Sequence, residues 1–160
     1  VLKSWTCNDI NYLAISQHLF NKVFIYKEKD GFLDFYLSLQ LNVQMGSVPF
    51  SVGFGTAIEY DLQSKAVYIS SPGSFEGKGA IWKVTMKEIV QTVEFWKLDT
   101  LSVSTLKHLY LINPQNNDKG VSNFGKTLII GPNGRLIIGI PQYGYGKLKG
   151  DQLTGAVLLS

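Results

Sequence analysis

The feature that most constrains this chain is repetition. Three stretches share one layout: a short apolar run ending in a small residue, a turn, and a second apolar run. The first is Tyr12-Leu13-Ala14-Ile15-Ser16, a short connection, then Asn21-Lys22-Val23-Phe24-Ile25-Tyr26. The second is Ala66-Val67-Tyr68-Ile69-Ser70-Ser71-Pro72, then Gly73 to Lys78, then Gly79-Ala80-Ile81-Trp82-Lys83-Val84. The third is Arg135-Leu136-Ile137-Ile138-Gly139-Ile140-Pro141, a longer glycine-rich loop, then Gly155-Ala156-Val157-Leu158-Leu159. A fixed repeat decides a fold before any single local preference does. Each unit reads as a hairpin, because the runs are strand-length and rich in β-branched and aromatic residues that suit a pleated, packed surface.

The punctuation agrees. Pro72 and Pro141 lack an amide hydrogen and mark where an inner strand stops. Gly73, Gly77, Gly79, Gly144, Gly146 and Gly150 loosen the loops that return to the next strand. Asp30-Gly31 is a hairpin turn by the same logic. Sixteen glycines spread between short apolar runs favour many turns over a few long helices, so the expected class is all-β. At 160 residues with 45% hydrophobic and 17% charged residues, the chain has the composition of a folding domain rather than a disordered one.

A Phe-Gly pair precedes the second and third hairpins: Phe54-Gly55-Thr56-Ala57-Ile58 and Phe124-Gly125-Lys126-Thr127-Leu128. A lone Phe-Gly carries no weight, but its ordered recurrence ahead of a strand, a small-residue-Pro end and a second strand does. The second unit, FGTAIEYDLQSKAVYISSPGSFEGKGAIWKV, resembles the FG-GAP repeat of integrin α subunits and of glycosylphosphatidylinositol-specific phospholipase D. Ser70-Ser71-Pro72 and Gly139-Ile140-Pro141 stand at the Gly-Ala-Pro place. The resemblance implies a partial β-propeller of about three blades, part of a ring of about seven. The blade units would be roughly 1–50, 51–112 and 113–160, and together they form one incomplete domain. The first unit lacks the Phe-Gly pair, as a chain that begins part-way through a blade would. Three units cannot close a ring, so further blades of the same polypeptide are the first expected partners. The fragment alone is expected to expose apolar faces and a strand edge and to aggregate. A free-standing β-sandwich is the competing fold, and it would make the two Phe-Gly pairs unrelated turns.

The Phe-Gly pairs lie 70 residues apart, longer than the family's usual repeat. Residues 85–118 take up the excess. Met86, Ile89, Val90 and Val93 have helical spacing, with Lys87, Glu88 and Glu94 between them, while a strand over Thr92–Trp96 is equally allowed. Leu106–Ile112 reads as a strand ahead of Asn113-Pro114-Gln115-Asn116-Asn117-Asp118-Lys119-Gly120, which has the composition of an exposed loop.

Many FG-GAP blades carry an Asp-x-Asp-x-Asp-Gly calcium loop, because a hard cation needs several oxygens on one short turn. The corresponding stretches here are Asp61-Leu62-Gln63-Ser64-Lys65, with one carboxylate, and Gly131-Pro132-Asn133-Gly134-Arg135, with none. Both read as simple turns, which argues against calcium. Asn8-Asp9-Ile10-Asn11 reads as a turn with local side-chain hydrogen bonds.

No catalytic, cofactor-binding or metal-ligating residue is assigned in this chain. His18 and His108 are the only histidines, too few for a zinc hydrolase, and both read as surface or satisfied strand residues. Ser70 and Ser71 precede a proline with no helix expected behind them, unlike a nucleophile elbow. Trp5, Trp82 and Trp96 are expected to fill space between blades. Cys7 is the single cysteine, so no internal disulfide can form, and it reads as a small buried hydrophobe or as the partner of a cysteine elsewhere. Fifteen basic residues against twelve acidic ones are dispersed along the chain, and Lys147 with Lys149 is the nearest approach to a cluster. Nucleic acid is a poor partner on that basis. No apolar run reaches the roughly 18 residues needed to span a bilayer.

The resemblance implies two functions of different classes. In one, the blades accompany a zinc-dependent phosphodiesterase domain outside this chain and position a glycolipid-anchored protein substrate. In the other they form an integrin-like adhesion or ligand-binding module without chemistry. The missing calcium loops favour the first. Both imply an extracellular or secretory setting.

Overall fold

The computed structural model describes residues 1–45, 48–49, 51–77, 79–103, 108–110, 124–140 and 156–159. Most of them lie in β-sheet, so the all-β expectation holds. The chain opens with an antiparallel meander of β1 (Leu2–Cys7), β2 (Ile10–Gln17), β3 (Lys22–Lys29) and β4 (Phe32–Gln40). Tight turns set its register. Asn8 and Asp9 turn β1 into β2 with φ of 51° and 61°, and Asp30-Gly31 turn β3 into β4 with 54° and 81°. Consecutive positive φ values match the twist of the flanking strands, which is why Asn, Asp and Gly stand there. A two-stranded ribbon, β5 (Gln44–Met45) and β6 (Val48–Pro49), follows.

The second sheet contains β7 (Ile58–Asp61), β8 (Ala66–Ser71) and β9 (Ala80–Thr85) in antiparallel order. Pro72 lies immediately after β8, where a strand without an amide donor must stop. The return from β8 to β9 contains a single helical turn, α1 (Ser74–Gly77). After β9 the chain forms α2 (Met86–Val90), continues as a π-helical turn over Gln91–Phe95, and then gives β10 (Thr100–Ser102). The helical spacing is thus realised, and the alternative strand over Thr92–Trp96 is corrected. Thr85 starts the helix with a capping box: its hydroxyl accepts from Glu88 N at 3.2 Å, and Glu88 Oε2 accepts from Thr85 N at 2.7 Å.

β10 lies in the second sequence unit but pairs parallel with β4, so the first sheet has the order β1-β2-β3-β4-β10 and the 51–112 unit reaches back into its neighbour. β11 (His108–Tyr110) then pairs with β9 at the edge of the second sheet, within the expected strand over Leu106–Ile112. The third sheet is β12 (Thr127–Ile130), β13 (Leu136–Ile140) and β14 (Ala156–Leu159), all antiparallel. Pro141, the loop over Asn113–Gly120, Gly144, Gly146, Gly150, Lys147 and Lys149 lie outside the described residues.

Packing follows from alternation along the strands. Trp5, Cys7, Tyr12, Ala14, Val23, Ile25, Leu37 and Leu39 bury one face of the first sheet with Val67, Ile69, Trp82 and Val84 of the second. Ile81 and Tyr68, on the other face of the second sheet, meet Phe124, Leu128, Leu136 and Ile138. β8 and β9 read almost without alternation because both of their faces are covered. The third sheet keeps its alternation: Leu136, Ile138 and Ile140 are buried, while Ile129 on the opposite face is 57% exposed.

The two Phe-Gly pairs do the same work at successive sheets. Phe54 and Phe124 are both fully buried, and Gly55 and Gly125 have φ of 92° and 82°. Gly55 N donates to Ser70 O at 2.9 Å and Gly125 N to Gly139 O at 3.2 Å, so each closes the end of its own sheet. Each also rests on the sheet before it. A methyl group at Gly55 would stand 2.7 Å from Ser16 Cβ and 2.9 Å from Val23 Cγ2. At Gly125 it would stand 3.0 Å from Ser70 Cβ and 2.8 Å from Ile81 Cδ1. Ser16 faces Val23 in the β2–β3 register, and Ser70 faces Ile81 in the β8–β9 register. Glycine occurs at both places because positive φ and close approach each exclude a Cβ.

The residue two before each supporting strand position repeats as well. Asn21 has φ of 53°, and its Oδ1 accepts from Val52 N at 3.0 Å and Phe54 N at 3.4 Å. Gly79 has φ of 93° and lies against the Phe124 carbonyl.

Candidate functional site

Where the first and second sheets diverge toward their β1–β2 and β7–β8 turns, α2 bridges them and leaves a cavity of about 690 Å³. Its walls follow from the fold. β2 brings Tyr12, β4 brings Tyr36, and α2 brings Met86 and Val90. Met86 and Ile89 anchor the helix in the core, while Met86 N donates to Lys65 O at 2.8 Å and fixes the helix start to the β7–β8 turn. The π-helical turn then shifts the phase of the helix and carries Glu94 to the cavity. Thr92 Oγ1 donates to Glu88 O at 2.8 Å within that turn. Single π-turns inserted in helices recur at functional sites.

Three lysines that are far apart in sequence converge there: Lys27 from β3, Lys65 from the β7–β8 turn and Lys87 from α2. Folding thus brings together basic residues that are dispersed along the sequence. Lys27 Nζ lies 5.4 Å from the Tyr36 ring centroid, and Lys65 Nζ donates to Asn8 Oδ1 at 3.0 Å. The ion pair found among the described residues, Lys3 with Glu59 at 2.6 Å, does not involve these lysines. Tyr36 donates its hydroxyl to Glu94 Oε1 at 3.1 Å. Burial, and then this bond to Glu94, push the Tyr36 phenol far up, so it remains a donor at any physiological pH. Burial raises Tyr12 too, with Cys7 and Glu94 adding to the effect.

Behind the cavity an aromatic stack joins the sheets: Trp5 lies 5.7 Å from Tyr12 and 5.4 Å from Tyr60, both nearly parallel. Burial foremost, and then the neighbouring Cys7 thiol, raise the Tyr60 phenol, whose hydroxyl has no nitrogen or oxygen partner in the described structure. Cys7 is buried, as a small hydrophobe would be.

The residues weighed from sequence fall as follows. Trp5 and Trp82 are buried at sheet contacts, but Trp96 is 52% exposed, because the π-helical turn ends there and leaves it outside the core. Ser70 and Ser71 are fully buried. Ser70 Oγ accepts from Ala57 N at 2.9 Å, while Ser71 Oγ accepts from Trp82 Nε1 at 2.8 Å and bonds Ser74 Oγ. The turn α1 does follow them, contrary to expectation, but burial and these bonds make both serines structural. His18 is exposed on the β2–β3 connection, and His108 lies in β11.

The Asp61 loop is a tight turn in which Asp61 accepts from Gln63 N and Ser64 N, both at 3.1 Å. Burial raises its carboxyl, but hydrogen bonds from Ser64 and Gln63 and the charge of Lys83 outweigh this and hold it below its ordinary range. The loop over Gly131–Arg135 turns through Asn133 and Gly134 at φ of 63° and 70°. Asn8 and Asp9 form the β1–β2 turn already described. Among the described residues no three His, Cys, Asp or Glu side chains gather as a metal group would require. Also among them, no helix is long and apolar enough to cross a membrane.

The cavity itself was not legible in the sequence. Tyr36, Glu94 and the three lysines carry no shared motif, and only the helical period of Met86, Ile89 and Val90 hinted at the element that closes it.

The chain is 44% identical over 156 residues to the uncharacterized protein YJL132W of Saccharomyces cerevisiae, an alignment that covers 98% of this chain and 21% of that protein. The chain therefore spans about a fifth of the length of the relative it matches. No family model and no solved structure matches.

Proposed function

We propose that this chain is a non-catalytic segment of a β-propeller in a glycosylphosphatidylinositol-specific phospholipase D-like protein, where it positions a glycolipid-anchored protein substrate for a catalytic domain elsewhere in the polypeptide. One observation carries the propeller part. The Phe-Gly turn of each sheet rests on the equivalent register pair of the preceding sheet, Ser16–Val23 and then Ser70–Ile81. A repeated sheet-to-sheet relation of this kind propagates, and in propellers it propagates around a ring. The alignment to a much longer relative is compatible with a chain that forms one part of a larger polypeptide.

The catalytic part rests on the resemblance of the repeats and on the simple turns at Asp61 and Gly131, where an integrin-like blade would gather calcium ligands. On this reading the zinc-dependent phosphodiester hydrolysis is carried by a catalytic domain elsewhere in a secreted or extracellular polypeptide. The test is release of a glycosylphosphatidylinositol-anchored reporter by the full-length polypeptide. Chelator-sensitive release, with none from this chain alone, is the expected result. A folded, metal-loaded polypeptide that releases nothing contradicts the hydrolase reading and leaves an adhesion or ligand-binding module.

A further inference from the structure

We propose that the cavity between the first and second sheets binds a phosphorylated sugar or polyol. Lys27, Lys65 and Lys87 place three cationic side chains around one concavity, and none of them is in an ion pair with a carboxylate among the described residues. Such an arrangement selects an anion, and ammonium groups act on a phosphate as point charges that tolerate several poses. The volume of about 690 Å³ lies in the range of small-molecule sites.

The remaining lining says what the anion is attached to. Ile10 and Val90, neither of them buried, give the wall an apolar patch suited to the C–H faces of a sugar or polyol. Glu94 already accepts the Tyr36 hydroxyl, and this bond orients its carboxylate, whose other oxygen sites suit ligand hydroxyls. Asn8 and Ser64 add polar groups on the turn side. A fatty carboxylate would offer no donor to the remaining oxygen sites of Glu94. A divalent cation would meet three lysines and too few carboxylates, and an extended nucleic acid would need a longer basic stripe than three lysines around one concavity.

All of the lining residues come from the first two sheets with their turns and from α2 with its π-helical extension, so the proposal does not depend on ring closure or on phospholipase chemistry. It is tested by calorimetric titration of the full-length polypeptide with glucose 6-phosphate and with myo-inositol 1-phosphate, beside glucose, inorganic phosphate and octanoate. Saturable binding of at least one of the two phosphates at about 1 mM or tighter is expected, roughly tenfold stronger than for glucose or inorganic phosphate. Lys65→Ala and Lys87→Ala should each weaken it by about three- to tenfold, and the double variant should abolish it. Both lysines are exposed, so the variants should melt with the parent protein. The bound ligand should also shield Lys65 and Lys87 from an acylating reagent, read by mass spectrometry. Failure of both phosphates to bind overturns the proposal, as does inorganic phosphate binding equally well, a preference for octanoate, or undiminished binding in a folded double variant.

Discussion

The two sheet contacts are built on the same backbone device and filled in different ways. At the first, Phe54-Gly55 closes against Ser16 and Val23, and the space beyond is occupied by Trp5, Tyr12, Tyr60 and Trp82, with α2 at one end. At the second, Phe124-Gly125 closes against Ser70 and Ile81, and the core is aliphatic: Leu128, Leu136, Ile138 and Ile140. The repeated element fixes how one sheet sits on the next, and the side chains around it decide what the junction can do. Branched aliphatic chains interdigitate closely, whereas large planar rings and an added helix leave a cavity rimmed by charge.

Truncating the buried rings should have the largest effect. Phe54→Ala and Phe124→Ala should each cost about 3–5 kcal/mol by denaturant unfolding. Hydrogen exchange should show Phe124→Ala loosening β12–β13 first, while Phe54→Ala loosens both flanking sheets. If only one of them destabilises the chain, the two junctions are not equivalent.

The glycines sharpen the comparison. Gly55→Ala and Gly125→Ala each combine a positive φ with a collision against the preceding sheet, and roughly 2–4 kcal/mol is expected for either. Removing the opposing Cβ with Ser16→Gly should recover part of the Gly55→Ala loss, since contacting residues couple in a double-mutant cycle. Strict additivity would mean that Gly55 does not touch the first sheet.

A smaller effect belongs to Asp61, which separates a structural turn from a metal loop. Its folded pKa lies below the ordinary value of 3.8, so the stability it contributes is fully present above that pH and is lost as the pH falls through the folded value. Asp61→Asn should therefore destabilise by about 1 kcal/mol at pH 7, and the gap to the parent protein should narrow below about pH 4. Thermal melting across pH reads it directly. A melting point that rises with added calcium in the parent and not in Asp61→Asn would contradict the turn assignment.

Much of the β architecture was legible because it is local and repeated. The hairpins β2–β3 and β8–β9, the stop at Pro72 and the turn at Asp30-Gly31 each follow from a residue whose backbone preference is strong. β14, beginning at Ala156, likewise falls on the apolar run Gly155–Leu159. What escaped notice depends on residues that meet only in three dimensions. β4 corresponds in topology to β11, the outer strand beside β9, but the two share no sequence motif, and β10 joins β4 in parallel after a long excursion. Trp96 looks like core by type, but the π-helical turn leaves it at the surface. Lys27, Lys65 and Lys87 lie on three separate elements, and no spacing rule could have united them.

Whether these sheets are propeller blades is decided by an experimentally determined structure of the full-length polypeptide that carries this chain. The expected result is a closed ring in which the three sheets radiate as consecutive blades, with Phe54-Gly55 and Phe124-Gly125 each resting on the sheet before. Three sheets folded into a self-contained sandwich, with no ring and with the two Phe-Gly turns in unlike surroundings, would contradict it.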